Sequence, residues 1–497
     1  MIVIDQSKLD RQEKGASIWA EHKGRGTLNY VPRFGKTNTA MLIINKIREK
    51  HITDEILIVV PSQIVKSQWD KIVEESGHLM INVYTIDALM EATNKVEFKP
   101  YLFIIDEIHK FTSERRYGIF KLIHYKFILG LTGTYPVGRE AALLNQVCPI
   151  VDTITEKEAL ENNWVSKFIE YNLKLELSPE DKDKYAKFSE PIKEILECFR
   201  NAHKLFPEGL FKDHYDLVQS CYSGKKVMQA SDGVSKYAYI KASVIRTTLA
   251  EKKGWNHDLN LSNEYNRMIE DNWNPDVIKE HAEMFNDYVR KRNDILTYNK
   301  VKLNAVIELF KRFPVTTICF NESTDFSDLI SNAINEITVA THNKVMAASY
   351  HSNIKSQPMK DADGNIITYK SGDKKGQPKL FGIKSIRNAI IENIKNKNLL
   401  FLSTARALDE GLDIPNIEFV ITTAGTTNPI QYTQRNARGK TVDIYNPDKV
   451  TTIVNLYFDN FILDGKQVNS RDLSKLQYRQ EKAHTKPIYI SSIDEIM

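Results

Sequence analysis

Short apolar runs alternate with helix-compatible segments along the first third of the chain. The segments at residues 39–49 and 65–75 have the spacing of helices. Continuous apolar runs between polar residues are typical of strands that are buried on both faces. Four such runs lie at residues 56–60, 82–85, 101–105 and 127–131. Strands of this kind, separated by helices, predict a parallel sheet covered by helices on both sides.

The pattern changes near residue 165 and returns near residue 301. After a strand signal at 168–177, the chain is mixed in charge and compatible with long helices. Strand-like runs then recur at residues 317–320, 345–349, 399–402, 419–422 and 452–456. The segment 355–379, rich in Lys, Asp and Gly, predicts an exposed loop or hairpin. The chain therefore predicts an α/β lobe at 1–164, a mainly helical insertion at 165–300 and a second α/β lobe at 301–497.

Composition is consistent with this division and adds little about function. The 497 residues are enough for about three domains at roughly 150 residues each. The net charge of +4 is too small to establish a nucleic-acid partner, although basic groups can be concentrated in one groove. The four cysteines form no CxxC pair, which favours free thiols and gives no zinc site. No apolar run approaches the ~18 residues of a membrane span, so we expect a cytoplasmic protein.

The segment at residues 30–37 reads YVPRFGKT and lies between an apolar run and a helix-forming segment. Gly-Lys-Thr at such a junction predicts a phosphate-binding loop, because the first N–H groups of a helix can bind phosphate oxygens. Lys36 would neutralise the β and γ phosphates of a nucleotide, and Thr37 would ligate Mg²⁺. Tyr30 stands where the full pattern has its first glycine.

The segment at residues 101–109 reads YLFIIDEIH, an apolar run that ends in two acidic residues. Ligands of open parallel sheets bind at the carboxyl ends of the strands. Asp106 would hold Mg²⁺ through water, and Glu107 would orient and activate the attacking water. An ordinary acidic pair at a strand end is the alternative, and the GKT about 70 residues upstream makes it less plausible.

The GKT, the DEIH and the LTGT at residues 131–134 together resemble motifs I, II and III of superfamily 2 (DEAD/DEAH-like) helicases. The loop variant PRFGKT is similar to that of phage and restriction-type members. The resemblance implies two RecA-like P-loop lobes with parallel sheets, which close on one ATP with Mg²⁺ as a cofactor. In these proteins an N-terminal glutamine reads adenine, and Gln12 resembles it. Arg33 replaces a more usual glycine beside the nucleotide. The resemblance also assigns Gly35 to nucleotide binding. It assigns His109, Thr132 and Thr134 to the coupling of ATP hydrolysis to movement.

Further motifs imply contacts with nucleic acid. The segments 61–63 and 84–85 resemble motifs Ia and Ib, which normally touch the nucleic-acid backbone, and this assigns Ser62, Gln63 and Thr85. Residues 318–321 resemble motif IV.

The segment at 401–415, FLSTARALDEGLDIP, closely resembles motif V. By this resemblance Thr404 contacts a phosphate of the nucleic acid, Gly411 allows close approach to the nucleotide, and Asp413 faces the ATP cleft.

The segment at residues 431–438, QYTQRNAR, resembles motif VI, with Gln434 in place of the usual glycine. Arg435 and Arg438 are three residues apart, which puts both on one face of a helix. The resemblance makes them arginine fingers that reach the γ-phosphate, where a guanidinium stabilises the charge of the transition state.

These motifs predict an ATP hydrolase that couples hydrolysis to movement along a nucleic acid or to remodelling of branched DNA. Contacts with phosphates make binding independent of sequence and sensitive to salt. DNA is favoured over RNA because of the resemblance to phage and restriction-type motors. Two alternatives remain: a restriction-type translocase that pumps duplex DNA without unwinding it, and a nucleic-acid-binding scaffold without ATPase activity. The segment 165–300 is a possible site for protein partners.

Overall fold

The computed structural model describes most of the chain and divides it into two compact units. The described residues are 5–203, 213–223, 275–359, 365–368, 370–371, 374–405, 414, 416–424, 428–442, 446, 448–483 and 486–497. The first unit comprises Met1–Lys174, Lys302–Tyr457 and Ser474–Met497. The second unit comprises Leu175–Val301 and Phe458–Leu473.

The first unit contains a six-stranded parallel sheet, with strand order β3-β2-β4-β5-β1-β6. Its strands are β1 (Arg25–Tyr30), β2 (Ile56–Val60), β3 (Ile81–Thr85), β4 (Leu102–Asp106), β5 (Phe127–Thr132) and β6 (Ile150–Ile154). The helices between and around them are α1 (Gln6–Glu21), α2 (Lys36–Arg48), α3 (Gln63–Ser76), α4 (Ile86–Ala92), α5 (Glu114–Tyr117), α6 (Ile119–Leu122), α7 (Arg139–Val147) and α8 (Glu156–Glu161). A 3₁₀ turn, Ile108–Phe111, follows β4.

Both faces of this sheet are buried, which is why β2 is apolar throughout and β4 is apolar up to Asp106. Successive side chains of a strand point to opposite faces. In β4, Leu102 and Ile104 belong to one hydrophobic cluster, and Phe103 and Ile105 belong to another. The parallel sheet predicted for the first lobe is confirmed.

The first unit also contains a seven-stranded sheet, with strand order β17-β7-β14-β13-β8-β12-β9. Its strands are β7 (Lys167–Leu175), β8 (Thr317–Asn321), β9 (Ala347–Tyr350), β12 (Phe401–Ala405), β13 (Phe419–Thr422), β14 (Val450–Phe458) and β17 (Ile488–Ile490). The neighbouring helices are α12 (Lys300–Arg312), α13 (Thr324–His342), α14 (Ile383–Lys395), α15 (Pro429–Ala437) and α16 (Arg471–Ala483). Strand β7 precedes the helical segment in the chain, yet it belongs to this sheet.

A short antiparallel pair begins inside the segment predicted as a loop or hairpin and ends directly after it. Strand β10 (Gln357–Pro358) pairs with β11 (Leu380–Phe381), and Leu380 and Phe381 are exposed. These two short strands lie between β9 and α14.

The described part of the second unit is mainly helical. Helices α9 (Pro179–His203), α10 (His214–Ser223) and α11 (Pro275–Thr297) pack against one another. A hairpin of β15 (Phe461–Leu463) and β16 (Lys466–Val468) completes its described part. Among the described helices of the chain, none is both long and apolar enough to cross a membrane.

Candidate active site

The loops that follow β1, β4 and β5 meet at one edge of the first sheet, because these strands are neighbours and parallel. They line a cavity of about 930 Å³, a volume typical of small-molecule sites. The first lobe contributes Pro32, Arg33, Gly35, Lys36, Thr37, Asp106, Glu107, Gly133 and Thr134. The second lobe contributes Tyr350, Asn388, Glu392, Gln434, Arg438 and Thr441, among others.

The loop between β1 and α2 presents a helix N-terminus to this cavity. Gly35 caps α2 with a φ of 104°, a conformation that favours glycine. A Cβ at Gly35 would lie 2.5 Å from Gln12 Nε2, so a side chain there would displace the amide of Gln12. Lys36 and Thr37 begin the helix and line the cavity, which places a cation and free N–H groups where an anion would bind.

Helix α1 contacts this loop through the side chains of Lys8 and Gln12. Lys8 Nζ lies 3.2 Å from the carbonyl oxygen of Arg33, and Gln12 Nε2 donates to the carbonyl of Phe34 at 3.0 Å. Gln12 is buried and is not among the cavity-lining residues, although the sequence analysis assigned it to adenine. Burial lowers the pKa of Lys8 to about 8. Lys8 was not singled out from the sequence, and its only signal is its position one turn before Gln12.

Tyr30 has a structural role that accounts for the missing glycine of the loop pattern. It is the last residue of β1, and its buried ring packs against Phe34. Its hydroxyl donates to Asp152 Oδ2 at 2.7 Å, and Arg11 forms an ion pair with the same carboxylate at 2.7 Å. A Cβ at Gly15 would lie 1.8 Å from the tyrosine oxygen, so α1 can approach β1 only with glycine there.

Asp106 and Glu107 lie at the end of β4, on the cavity wall. Asp106 is 9% exposed, and its Oδ2 accepts a hydrogen bond from Trp69 Nε1 at 3.0 Å. Burial and the neighbouring Glu107 raise the pKa of Asp106. Burial also acts to raise the pKa of Glu107, but Lys36 and His109 outweigh it and hold that pKa below the ordinary value. Glu107 Oε1 lies 4.0 Å from Lys36 Nζ.

A chain of contacts connects Glu107 to the loop after β5. His109 Nδ1 lies 3.3 Å from Glu107 Oε2 and 2.9 Å from Thr132 Oγ1. The same threonine oxygen accepts a hydrogen bond from the backbone N–H of Thr134 at 3.2 Å. The structure thus brings together the three residues that the sequence analysis assigned to coupling.

The two arginines of the second lobe, Arg435 and Arg438, lie in different settings. Helix α15 ends at Ala437, and Arg438 follows it and lines the cavity. Arg435 is 2% exposed, its guanidinium carbon lies 5.3 Å from the centre of the Phe320 ring, and it is not among the cavity-lining residues. Arg33 Nε also donates to the carbonyl of Ala437 at 3.4 Å, which joins the loop of the first lobe to the end of α15.

The residues assigned to nucleic acid lie in different settings. Ser62 and Thr85 are the N-caps of α3 and α4, and Gln63 is exposed. Val60 pairs with Thr85, so both caps lie at the same edge of the sheet. Thr404 is fully buried in β12. Gly411 and Asp413 lie outside the described residues.

The donors on the cavity wall suit Mg²⁺ held together with phosphates. Within the described residues, no group of three or more His, Cys, Asp or Glu side chains could hold a metal ion. Mg²⁺ in nucleotide sites is usually bound by one or two carboxylates together with phosphate oxygens and water. Asp106 and the hydroxyl of Thr37 fit that arrangement, because both line the cavity beside Lys36.

The two parallel sheets, each with its covering helices, define a pair of RecA-like lobes, as the sequence predicts. Residues 383–440 match the family model of the helicase conserved C-terminal domain. Comparison with curated protein sequences gives no match.

Solved structures that are similar to the chain include three helicases. S. cerevisiae Dbp5 bound to RNA and ADP BeF3 is 10% identical, with a TM-score of 0.50 and coverage of 97% of this chain and 90% of that one. The Pyrococcus furiosus Hef helicase domain is 13% identical, with a TM-score of 0.47 and coverage of 94% and 97%. Mycobacterium smegmatis helicase Lhr bound to ssDNA and AMP-PNP is 12% identical, with a TM-score of 0.46 and coverage of 95% and 48%.

Proposed function

We propose that the protein is an ATP-dependent nucleic-acid motor of the superfamily 2 helicase or translocase type. One observation carries the proposal: Lys36, Asp106 and Glu107 of the first lobe line the same cavity as Arg438 of the second lobe. A cation, two carboxylates and a guanidinium are the groups that phosphoryl transfer to water requires. The match of residues 383–440 to a helicase domain supports the same conclusion.

Each group has a role in hydrolysis that follows from its position. Lys36 and the N-terminus of α2 bind the phosphates. Glu107, which the neighbouring Lys36 keeps ionised, accepts a hydrogen bond from the attacking water and orients it. Arg438 stabilises the charge that develops on the γ-phosphate oxygens. Asp106 and Thr37 would hold Mg²⁺, which would supply neutralising charge to the phosphates.

Hydrolysis is coupled to movement because the two lobes hold one nucleotide between them. Loss of the γ-phosphate removes the group that Lys36 and Arg438 share, and the closed arrangement then loses stability. Ser62 and Thr85 cap neighbouring helices at one edge of the first sheet and present a surface for the nucleic-acid backbone. Alternate closing and opening would move this surface along a strand.

We propose DNA as the nucleic acid, since the motifs resemble those of phage and restriction-type motors. Dbp5 was solved with RNA and ADP BeF3, which supports nucleotide and nucleic-acid binding by this fold and leaves the choice of nucleic acid to experiment. Measurements of ATP turnover with single-stranded, duplex and branched DNA and with RNA distinguish DNA from RNA as the nucleic acid that stimulates hydrolysis. Strand displacement and triplex displacement then distinguish unwinding from translocation on duplex DNA.

Two substitutions test the assignment of the site. Lys36→Ala and Glu107→Gln should each lower nucleic-acid-stimulated ATP turnover by ~10²-fold or more, and Glu107→Gln should still bind ATP. Lys46→Ala and Glu114→Gln are matched controls, because both residues are exposed and neither lines the cavity. Wild-type turnover in Glu107→Gln would show that the site is wrongly assigned. A wild-type protein that binds nucleic acid without hydrolysing ATP would instead indicate a scaffold.

A further inference from the structure

Trp69 connects a helix that is predicted to contact nucleic acid with the acidic end of β4. It lies in α3, is 1% exposed and belongs to the core on one face of the first sheet. Its indole N–H donates to Asp106 Oδ2 at 3.0 Å. Trp69 follows the segment 61–63, which resembles motif Ia, and its N–H points to the carboxylate on the cavity wall.

The hydrogen bond fixes the orientation of a buried carboxylate. Asp106 has little access to water, so its oxygens depend on protein partners. A donor to one oxygen determines which oxygen faces the cavity and restricts rotation of the group. Partners of this kind, one step removed from a metal, typically change metal affinity or activity 10- to 100-fold when they are removed.

Helix α3 connects the hydrogen bond between Trp69 and Asp106 to the N-terminus of the helix at Ser62. Ser62 caps the helix and Trp69 follows seven residues later, about two turns along the same side. Val65, Gln68 and Ile72, from the turns around Trp69, also line the cavity. A shift of the N-terminus of α3 therefore moves the indole relative to Asp106, because a helix moves as a rigid element.

We propose that Trp69 is a positioning residue through which nucleic acid bound at the N-terminus of α3 sets the orientation of Asp106 toward Mg²⁺ and the nucleotide. This inference rests on the proposed function. It adds a physical route by which binding of nucleic acid stimulates hydrolysis. The route consists of one helix and one hydrogen bond, and it requires no change in the position of Lys36 or Glu107.

The test replaces Trp69 by Phe, which keeps an aromatic ring in the core and removes the N–H donor. Trp19→Phe is the matched control: Trp19 is also buried in the first lobe, and its indole donates to the carbonyl of Ile128 at 3.0 Å, away from the cavity. The two variants remove the same group from the same core, so a general loss of packing affects both. The full-length protein is used throughout.

Two quantities are measured. The first is the Mg²⁺ concentration needed for half-maximal binding of a fluorescent ADP, which requires no turnover. The second is the ratio of ATP turnover with and without a single-stranded oligonucleotide. Trp69→Phe should raise the Mg²⁺ requirement about tenfold and lower the stimulation ratio by a similar factor. Trp19→Phe should leave both near the wild-type values.

The outcomes separate this inference from the proposed function. If wild-type protein neither binds ADP nor hydrolyses ATP, the proposed function fails and the inference fails with it. If wild-type protein is active and Trp69→Phe matches Trp19→Phe in both quantities, the inference alone is overturned. A higher Mg²⁺ requirement with an unchanged stimulation ratio would also overturn it, because Trp69 would then orient Asp106 without carrying the signal.

Discussion

Two residues that line the cavity, Arg33 and Glu107, hold a backbone conformation that favours glycine. Their φ angles are 74° and 54°, and each lies beside a group that the proposed mechanism uses. The left-handed region costs a residue with a side chain roughly 1–2 kcal/mol. Strain of this kind persists where neighbouring contacts enforce it, and at Arg33 the contact is the bond from Lys8 to its carbonyl.

Arg33→Gly separates the side chain of Arg33 from its backbone strain. Glycine relieves the strain but makes the unfolded chain more flexible, so we expect the free energy of unfolding to change by less than about 1 kcal/mol. Loss of the guanidinium, which bonds to Ala437 of the second lobe, should lower kcat/KM for ATP by about tenfold. Steady-state kinetics and denaturant unfolding measure the two effects. Arg33→Ala is the control, since it keeps the strain; wild-type kinetics in Arg33→Gly would show that the guanidinium has no role.

At the residue scale, the sequence predicted the groups that short motifs fix and missed those held by distant contacts. Lys36, Asp106 and Glu107 were expected together, and all three line the cavity. Lys8 was not predicted, because its partners Arg33 and Trp164 lie 25 and 156 residues away and no local pattern marks it. Such contacts appear only once the sheet has brought the segments together.

At the scale of elements, α15 is anchored by a buried polar cluster. The Tyr432 hydroxyl donates to Glu170 of β7, and Glu170 Oε1 also accepts from Asn455 at 2.7 Å and from Gln480 at 3.1 Å. All four residues are buried. A buried carboxylate is stable only with several donors, so the cluster fixes the helix that precedes Arg438 against β7, β14 and α16.

Tyr432→Phe tests this anchor by removing one donor and keeping the ring. Glu170 would lose a hydrogen bond in a buried setting, which should destabilise the protein by about 1–3 kcal/mol. Denaturant unfolding measures the loss. Tyr489→Phe is the control, because Tyr489 is exposed on β17 and should change stability by less than ~0.5 kcal/mol. Equal effects of the two substitutions would mean that the cluster does not hold α15.

The bounds of individual strands were predicted well, and the strands with which they pair were predicted less well. Residues 56–60 and 419–422 form strands with the predicted bounds, because continuous apolar runs between polar residues mark buried parallel strands. The strand signal near residue 168 was also present, but its place in the second sheet depends on pairing with strands far along the chain. Arg435 and Arg438 were expected on one helical face; Arg438 lines the cavity, and Arg435 lies against Phe320.

At the scale of the whole molecule, the proposed site depends on residues from both lobes of the first unit. The fold of these lobes follows from two alternating patterns, and it is confirmed. The sequence of residues 165–300 predicts helices and identifies no catalytic or binding residues. The described part of the second unit is mainly helical. Its proposed role in protein contacts remains a prediction, since helical patterns do not identify a partner.

A nucleotide held by both lobes should stabilise them together. At about 100 times its Kd, a ligand that binds only the folded protein adds ~2.7 kcal/mol. For domains of this size that corresponds to a rise in apparent Tm of about 5–10 °C. We expect this rise with a non-hydrolysable ATP analogue and Mg²⁺ in a thermal melt followed by circular dichroism. Chelation of Mg²⁺ should remove most of it, because Asp106 then repels the phosphates.

The decisive comparison is between one variant in each lobe. Lys36→Ala removes a side chain of the first lobe and Arg438→Ala removes one of the second lobe, and both residues line the same cavity. If the nucleotide joins the lobes, each variant should lose a large part of the rise in Tm, since the stabilisation depends on an affinity to which both contribute. If only Lys36→Ala loses it, the nucleotide binds the first lobe alone, and a cycle of closing and opening driven by ATP would have no physical basis in this cavity.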